Sequence, residues 1–421
     1  MNRSLPPTLV LTDHIDLIYP QAINLKNGMN AYLINSGEQD VVKLELVFKA
    51  GDWFAVQAVL ASAVNDLLDS GTSNKSAFEI ASSFDFYGAY LQTECTHDVA
   101  SIKLFTLTRF LKPTITLLLE ILQDAAFPQS EVAIFADQHI QQLQINRQKV
   151  EYLARKEFLQ ALFPGSPYGR YAEEQDYKKL TSETLKTWFL QNYQSGNGFV
   201  ILSGKLPEDV VQLLNDTLGE WSNIQSYSVN GNKESTPPFS GIRYIEKKGA
   251  LQCAIRMGIN MPNKLHDDFI PLTVLSTILG GYFGSRLMSN LREDKGYTYG
   301  VGSSMVSLLQ GGYFFIATQV GKEVKDDALK QIEIEIKRLQ QEPVDNNELD
   351  LVKNYMTGVF QRNMDGAMAI SDRLKAALIY GQDMTIYQHY LQKVLAINSQ
   401  QITDLAHRYL EVDQMATIIV G

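Results

Sequence analysis

Residues 279–304 read LGGYFGSRLMSNLREDKGYTYGVGSS. Gly280, Gly281 and Gly284 permit a tight backbone entry. Ser285 is a helix-capping residue type, and Leu287, Met288 and Leu291 follow at helical spacing. The pattern predicts a short helix ending near Leu291 or Arg292. Asp294-Lys295-Gly296 then turns the chain. A strand is predicted next, with Tyr297 and Tyr299 on one face because strand side chains alternate. Arg292 at a helix end and Tyr299 on a strand therefore converge. A guanidinium and a phenol both donate hydrogen bonds, so they form a carbonyl-polarising pair. The same two residues also fit a surface arginine and a half-buried tyrosine of no chemical role.

Outward from this stretch, the chain repeats itself at an offset of about 209 residues. FYGAY at 86–90 matches KGYTY at 295–299. Leu44, Leu46 and Phe48 alternate with Lys43, Glu45 and Val47 before Ala50-Gly51. Cys253, Ile255 and Met257 alternate in the same way before Gly258. SIKLFTL at 101–107 and GYFFIATQV at 312–320 are both β-like. Thr114–Asp124 and Lys325–Gln341 are amphipathic, and each is followed by a proline, a polar start and a second helix. The polar, turn-rich run at 226–241, SYSVNGNKESTPPFSG, separates the halves. The fold class is therefore α+β: two related domains by duplication, each a mostly antiparallel sheet with helices on one face. The domains are 1–225 and 242–421, joined by a linker at 226–241.

Composition narrows the function. The 421 residues are 45% hydrophobic and 20% charged, with a net charge of -10. That is an ordinary folded composition, and its acidity argues against general nucleic-acid or anionic-membrane binding. Two cysteines, Cys95 and Cys253, exclude a disulfide framework and imply a reducing compartment. The stretch Leu5 to Leu11 lacks the length and flanks of a signal peptide. No run approaches 18 apolar residues, so no membrane span is expected, and the expected address is the cytoplasm.

Motifs of known chemistry are few. His14, His97, His139, His266, His389 and His407 include no i, i+4 pair suited to zinc. No C-x-x-C, G-x-S-x-G or phosphate-binding loop occurs. GVGSSM at 300–305 lacks the third glycine of a dinucleotide fingerprint.

With these residues in view, the segment resembles the second-domain signature of the pitrilysin/insulinase family of zinc metallopeptidases. That group includes mitochondrial processing peptidase. The resemblance rests on Gly280-Gly281, Ser285-Arg286-Leu287, Leu291-Arg292-Glu293, Gly296 and Tyr299. FPGSPYGR at 163–170 resembles a second family segment. It implies a metallopeptidase clamshell half, in which Arg292 and Tyr299 match the family pair that contacts substrate near the scissile bond. Gly280, Gly281 and Gly284 would shape the loop presenting them. The strand at Leu91–Thr96 would be the active-site edge, which in zinc-bearing chains accepts an extended peptide.

The family's zinc motif, H-x-x-E-H, should lie just before Gly71-Thr72. Ser62 and Asp66 stand in place of its histidines, and Asn65 stands in place of its glutamate. The third ligand position falls near Gln142, where no glutamate occurs. Serine and glutamine are poor zinc ligands, and an amide has no useful pKa for general-base work. No cofactor is expected in this chain, and alone it should not hydrolyse peptides. The resemblance implies divided labour: a homologous partner supplies H-x-x-E-H and zinc, and this chain supplies Arg292 and Tyr299 to a peptide in a shared chamber. The alternative is a catalytically inert structural or peptide-binding scaffold. A homodimer is compatible with the isolated chain.

Overall fold

The computed structural model describes residues 16–221 and 236–421. His14 and the Leu5 to Leu11 stretch lie outside the described residues, as does most of the expected linker; 236–240 lead directly into a strand. The first sheet uses β1 (Gln21–Asn24), β2 (Asn30–Asn35), β3 (Val41–Phe48), β4 (Tyr90–Cys95), β5 (Ala100–Leu107) and β6 (Gly198–Gly204). The second uses β7 (Gly241–Ile245), β8 (Gln252–Met261), β9 (Val301–Leu308), β10 (Gly311–Gly321) and β11 (Ala416–Val420). Their orders are β1-β2-β6-β3-β5-β4 and β7-β11-β8-β10-β9. Apart from the added β1, the two are the same topology. In each, one parallel pair (β2 with β6, β7 with β11) sits in an otherwise antiparallel sheet.

The helices of the first half are α1 (Leu60–Asp66), α2 (Ala77–Phe86), α3 (Leu111–Asp124), α4 (Gln129–Asn146), α5 (Val150–Leu162), α6 (Glu174–Lys178), α7 (Ser182–Asn192) and α8 (Val210–Asn215). Those of the second are α9 (Phe269–Ser276), α10 (Lys325–Gln341), α11 (Asn346–Arg362), α12 (Gly366–Leu378), α13 (Tyr390–Ala396) and α14 (Ser399–Tyr409). The amphipathic stripe of α3 buries Ile115, Leu118 and Leu122 against Leu44, Leu46 and Leu104 of the first sheet. That of α10 does the same for the second with Leu329, Ile332 and Ile336. Burial of each such side chain is worth about 1.5–3 kcal/mol.

Helices do not stay on one face, as the sequence led us to expect. Each sheet's second face is crossed by a helix from the other half. Helix α5 packs Ala154 and Phe158 on Ala254, Ile418 and Val420, and α12 packs Ile370 and Leu374 near Ile34 and Ile201. Periodicity marks an apolar face but not which sheet it meets. Gly258 shows the consequence. It lies inside β8 rather than ending it, and a Cβ there would sit 2.9 Å from Phe158 Cζ and 2.1 Å from Phe314 O. A bare backbone is needed where α5 crosses.

Register also corrects the repeat. Val41 pairs with Leu107 and Gln252 with Gly321. Leu107 and Gly321 each precede the short turn into the long helix α3 or α10. Leu44 therefore corresponds to Ile255 rather than Cys253. The shift is by an even number of residues, so every side chain keeps its face.

Polar contacts tie the halves together. Lys375 of α12 meets Glu45 Oε1 of β3 at 2.8 Å, and Lys43 meets Asp372 at 2.7 Å. Tyr168, within FPGSPYGR, donates to Asp98 Oδ1 at 2.7 Å, and Asp98 Oδ2 accepts from Leu309 N in the β9–β10 turn at 3.0 Å.

Candidate functional site

The signature segment begins where α9 widens into a π-helical turn, Thr277–Gly281. Gly280 lies against β9: a Cβ there would stand 2.6 Å from Ser303 N and 2.8 Å from its Oγ. Gly281 packs on Thr277, and Gly284 on the Tyr282 ring. A second helix starts after Ser285, whose carbonyl accepts from Ser289 N at 2.9 Å. Its hydroxyl is buried without a partner, so Ser285 stands at the cap position but does not cap through its side chain. Leu287, Met288 and Leu291 are buried as expected. The helix runs beyond Arg292 as a π-helical segment, Met288–Asp294, with Lys295 N donating to Asn290 O at 3.1 Å. It ends at Gly296, whose φ of 65° suits glycine.

Arg292 and Tyr299 come together. The guanidinium lies 5.5 Å from the Tyr299 ring and 4.5 Å from that of Phe283. Cation–π attraction thus holds it between two aromatics. Tyr299 does not lie on the strand, because β9 begins only at Val301, and it is 93% exposed rather than half-buried. Tyr297 instead donates its hydroxyl to Asp327 at 2.9 Å, a structural task. Among the described residues the Tyr299 hydroxyl has no hydrogen-bond partner. Tyr299 lines a cavity of about 680 Å³ between α5 and the outer face of the second sheet, together with Arg155, Arg256 and Thr298. Phe283, Arg155 and Arg256 escape a sequence reading. Phe283 lies in the quoted stretch, but only its exposure and the stacking reveal a use. A larger cavity, about 890 Å³, lies between β2 and the chain after α12 and holds none of the expected residues.

The four degenerate zinc positions do not form a ligand set. Ser62 of α1 donates to Val59 O at 3.1 Å. Asn65 is wholly buried and donates to Tyr193 Oη at 3.0 Å, turned into the core. Asp66 is exposed, and Gln142 of α4 donates to Asn146 Oδ1 at 3.1 Å. Among the described residues, no group of three or more His, Cys, Asp or Glu is placed to hold a metal ion. Ser62 borders a cavity of about 220 Å³ with Asp52, His97, Arg170 and Tyr177. Burial raises the Asp52 carboxyl above the usual range, against the opposing charges of His97 and Arg170.

Comparison with known proteins agrees with this architecture. The family described as "Peptidase M16 inactive domain" matches residues 179–356. "Non-peptidase homolog YmxG" of Helicobacter pylori is 25% identical over 395 residues, covering 90% of this chain and 88% of its own. A peptidase M16 inactive domain from Pseudomonas fluorescens superposes with a TM-score of 0.87 at 23% identity, covering 96% of this chain and 98% of that one. The chain is similar to the pitrilysin/insulinase (M16) family and shares its fold. It carries no H-x-x-E-H motif, and its two related sheets have the fold of an M16 clamshell half. The periplasmic protease PqqL from Escherichia coli shares the fold at a TM-score of 0.81 and 14% identity, with all of this chain matched to 49% of that one. No helix among the described residues is long and apolar enough to cross a membrane.

Proposed function

We propose that this chain is the zinc-free subunit of a two-chain M16 peptidase. In this reading Arg292 and Tyr299 reach across a shared chamber to a peptide whose scissile bond is cut by a zinc-bearing homologue with H-x-x-E-H. The observation that carries it is the exposed Tyr299 ring, 93% accessible, set beside the Arg292 guanidinium, which Phe283 and Glu293 hold in place. The exposed Phe283 ring lies against the same guanidinium, and a contiguous exposed aromatic patch of this kind marks an interaction site where a lone ring does not. The guanidinium fixes the peptide carbonyl, and the phenol donates to the oxygen as negative charge develops on it. Gly280 lets the presenting segment lie close to β9, and Gly281 and Gly284 fit against Thr277 and Tyr282. On this reading the chain keeps the division expected from its sequence, 1–225 and 242–421 with a linker at 226–241, and a cytoplasmic address, which two cysteines without a disulfide fit.

A second reading is an inert peptide-binding scaffold, which the name of the Helicobacter pylori relative favours. Native mass spectrometry of the protein drawn from its own cells separates them. A second chain of similar mass with one zinc per pair supports the two-chain peptidase. A zinc-free monomer or homodimer moves the assignment to the scaffold.

A further inference from the structure

The two halves place opposite charges at equivalent points. Val41 and Gln252 begin their strands against Leu107 and Gly321, so Glu45 and Arg256 occupy the same position in β3 and β8. In the first half, the crossing helix α12 brings Lys375 to Glu45, and the buried charge is neutralised at 2.8 Å. In the second half, the crossing helix α5 brings another cation, Arg155. Neither Arg155 nor Arg256 makes an ion pair among the described residues. Arg256 is partly withdrawn from water over the Phe315 ring, 5.1 Å away, and Arg155 lies 6.0 Å from the Tyr152 ring. Desolvation and, after it, the neighbouring Arg155 weaken the protonated state of Arg256, offset in part by Tyr313, Tyr171 and Glu151. Lys149 lines the same cavity, and Glu151, its only carboxylate, pairs with neither arginine. Arg256 is partly withdrawn from water beside the exposed Arg155, and an anion that joins the two offsets both its desolvation and their mutual repulsion.

We propose that Arg155 and Arg256 form a carboxylate-binding subsite for the peptide held at Arg292 and Tyr299, a proposal that rests on the peptide-binding reading above. The cavity that holds both arginines also holds Tyr299. Arg256 pairs with Ala317, and Ala317 with Gly302, three residues beyond Tyr299. Two strand spacings and three residues put the α-carbons about 14 Å apart, or about four residues of extended peptide. Bidentate guanidinium donors match a carboxylate. That group is either the peptide's C-terminus or an acidic side chain. The chamber wall is thus basic, although the chain as a whole is acidic.

The test uses the full-length protein and fluorescent decapeptides of one otherwise neutral sequence. One has a C-terminal amide, one a free C-terminus, and two amidated forms carry a central glutamate or the matching glutamine. Fluorescence anisotropy gives Kd for each. At least one carboxylate peptide should bind about tenfold more tightly than its neutral counterpart. Arg256→Met and Arg155→Met should each bring that ratio close to one without changing Kd for the neutral peptide. Preference for the free terminus assigns the subsite to a C-terminal carboxylate, and preference for glutamate to an acidic side chain. Arg256→Lys, which keeps the charge, should retain part of the preference and guards against misfolding of the methionine variants. Equal affinity for all four peptides overturns the subsite while leaving peptide binding intact. Failure of every peptide to bind overturns both.

Discussion

Tyr299 shows how much one side chain can carry. Its ring is exposed and its hydroxyl has no partner among the described residues, so removing that hydroxyl leaves their packing untouched. Tyr299→Phe should leave the melting temperature within about 1 °C, as surface changes do. In the assembled pair it should lower kcat by about 10²-fold, the usual loss of one oxyanion donor. Normal turnover in that variant removes Tyr299 from the mechanism. Asp52 is the opposite case, a carboxylate that weakens the fold. Its raised pKa means that the folded state binds the proton more firmly than the unfolded chain does. Stability should therefore rise as pH falls from neutral toward the usual carboxylate range, and the ionised form is the costly one. Asp52→Asn should stabilise the protein at pH 7 by about 1 kcal/mol, and the gain should shrink near about pH 4. Thermal unfolding of both proteins at the two pH values checks this. A loss of stability at pH 7 would mean that the Asp52 charge is favourably paired.

At the scale of elements, the π-helical turn and β9 depend on each other. Gly280 is buried against Ser303, where backbone and hydroxyl leave no room for a methyl group. Gly280→Ala should cost about 1–3 kcal/mol by forcing the turn away from β9. It should also shift the segment that carries Arg292 and Tyr299. The measurement is urea unfolding together with peptide affinity; unchanged values for both would show that the turn yields freely. The amphipathic helices α3 and α10 were legible in the sequence because their apolar stripes recur at helical spacing. The π-helical widening was not legible, because it alters hydrogen-bond partners without altering the side-chain pattern.

Across the whole molecule, α5 and α12 bind each half to the other. Lys375→Met strands the fully buried Glu45, leaving only Lys43 at 3.5 Å to offset its charge. The cost should be about 3 kcal/mol, the low end for a broken buried pair. The Glu45→Met/Lys375→Met double variant should recover most of it, since no charge is then left unpaired at that point. Denaturant midpoints of the two variants decide the matter, and equal destabilisation by both would contradict it. Because each sheet needs the other half's helix, wild-type unfolding should show one transition rather than two.

The amino-acid order by itself determined the duplication, the α+β class, the long helices and the loss of the zinc ligands. Each follows from residue identity and local period, which need no third dimension. It also brought Arg292 and Tyr299 into one neighbourhood, because seven residues spanning a helix end and a turn leave little freedom. Only the tertiary structure decided that Tyr299 stands free in water, that Asn65 turns into the core, and that α5 and α12 cross to the opposite sheets. It alone placed Arg155 and Arg256 in one cavity. Those outcomes depend on which surfaces meet over long separations, and a periodic pattern records that a face is apolar without recording what will cover it.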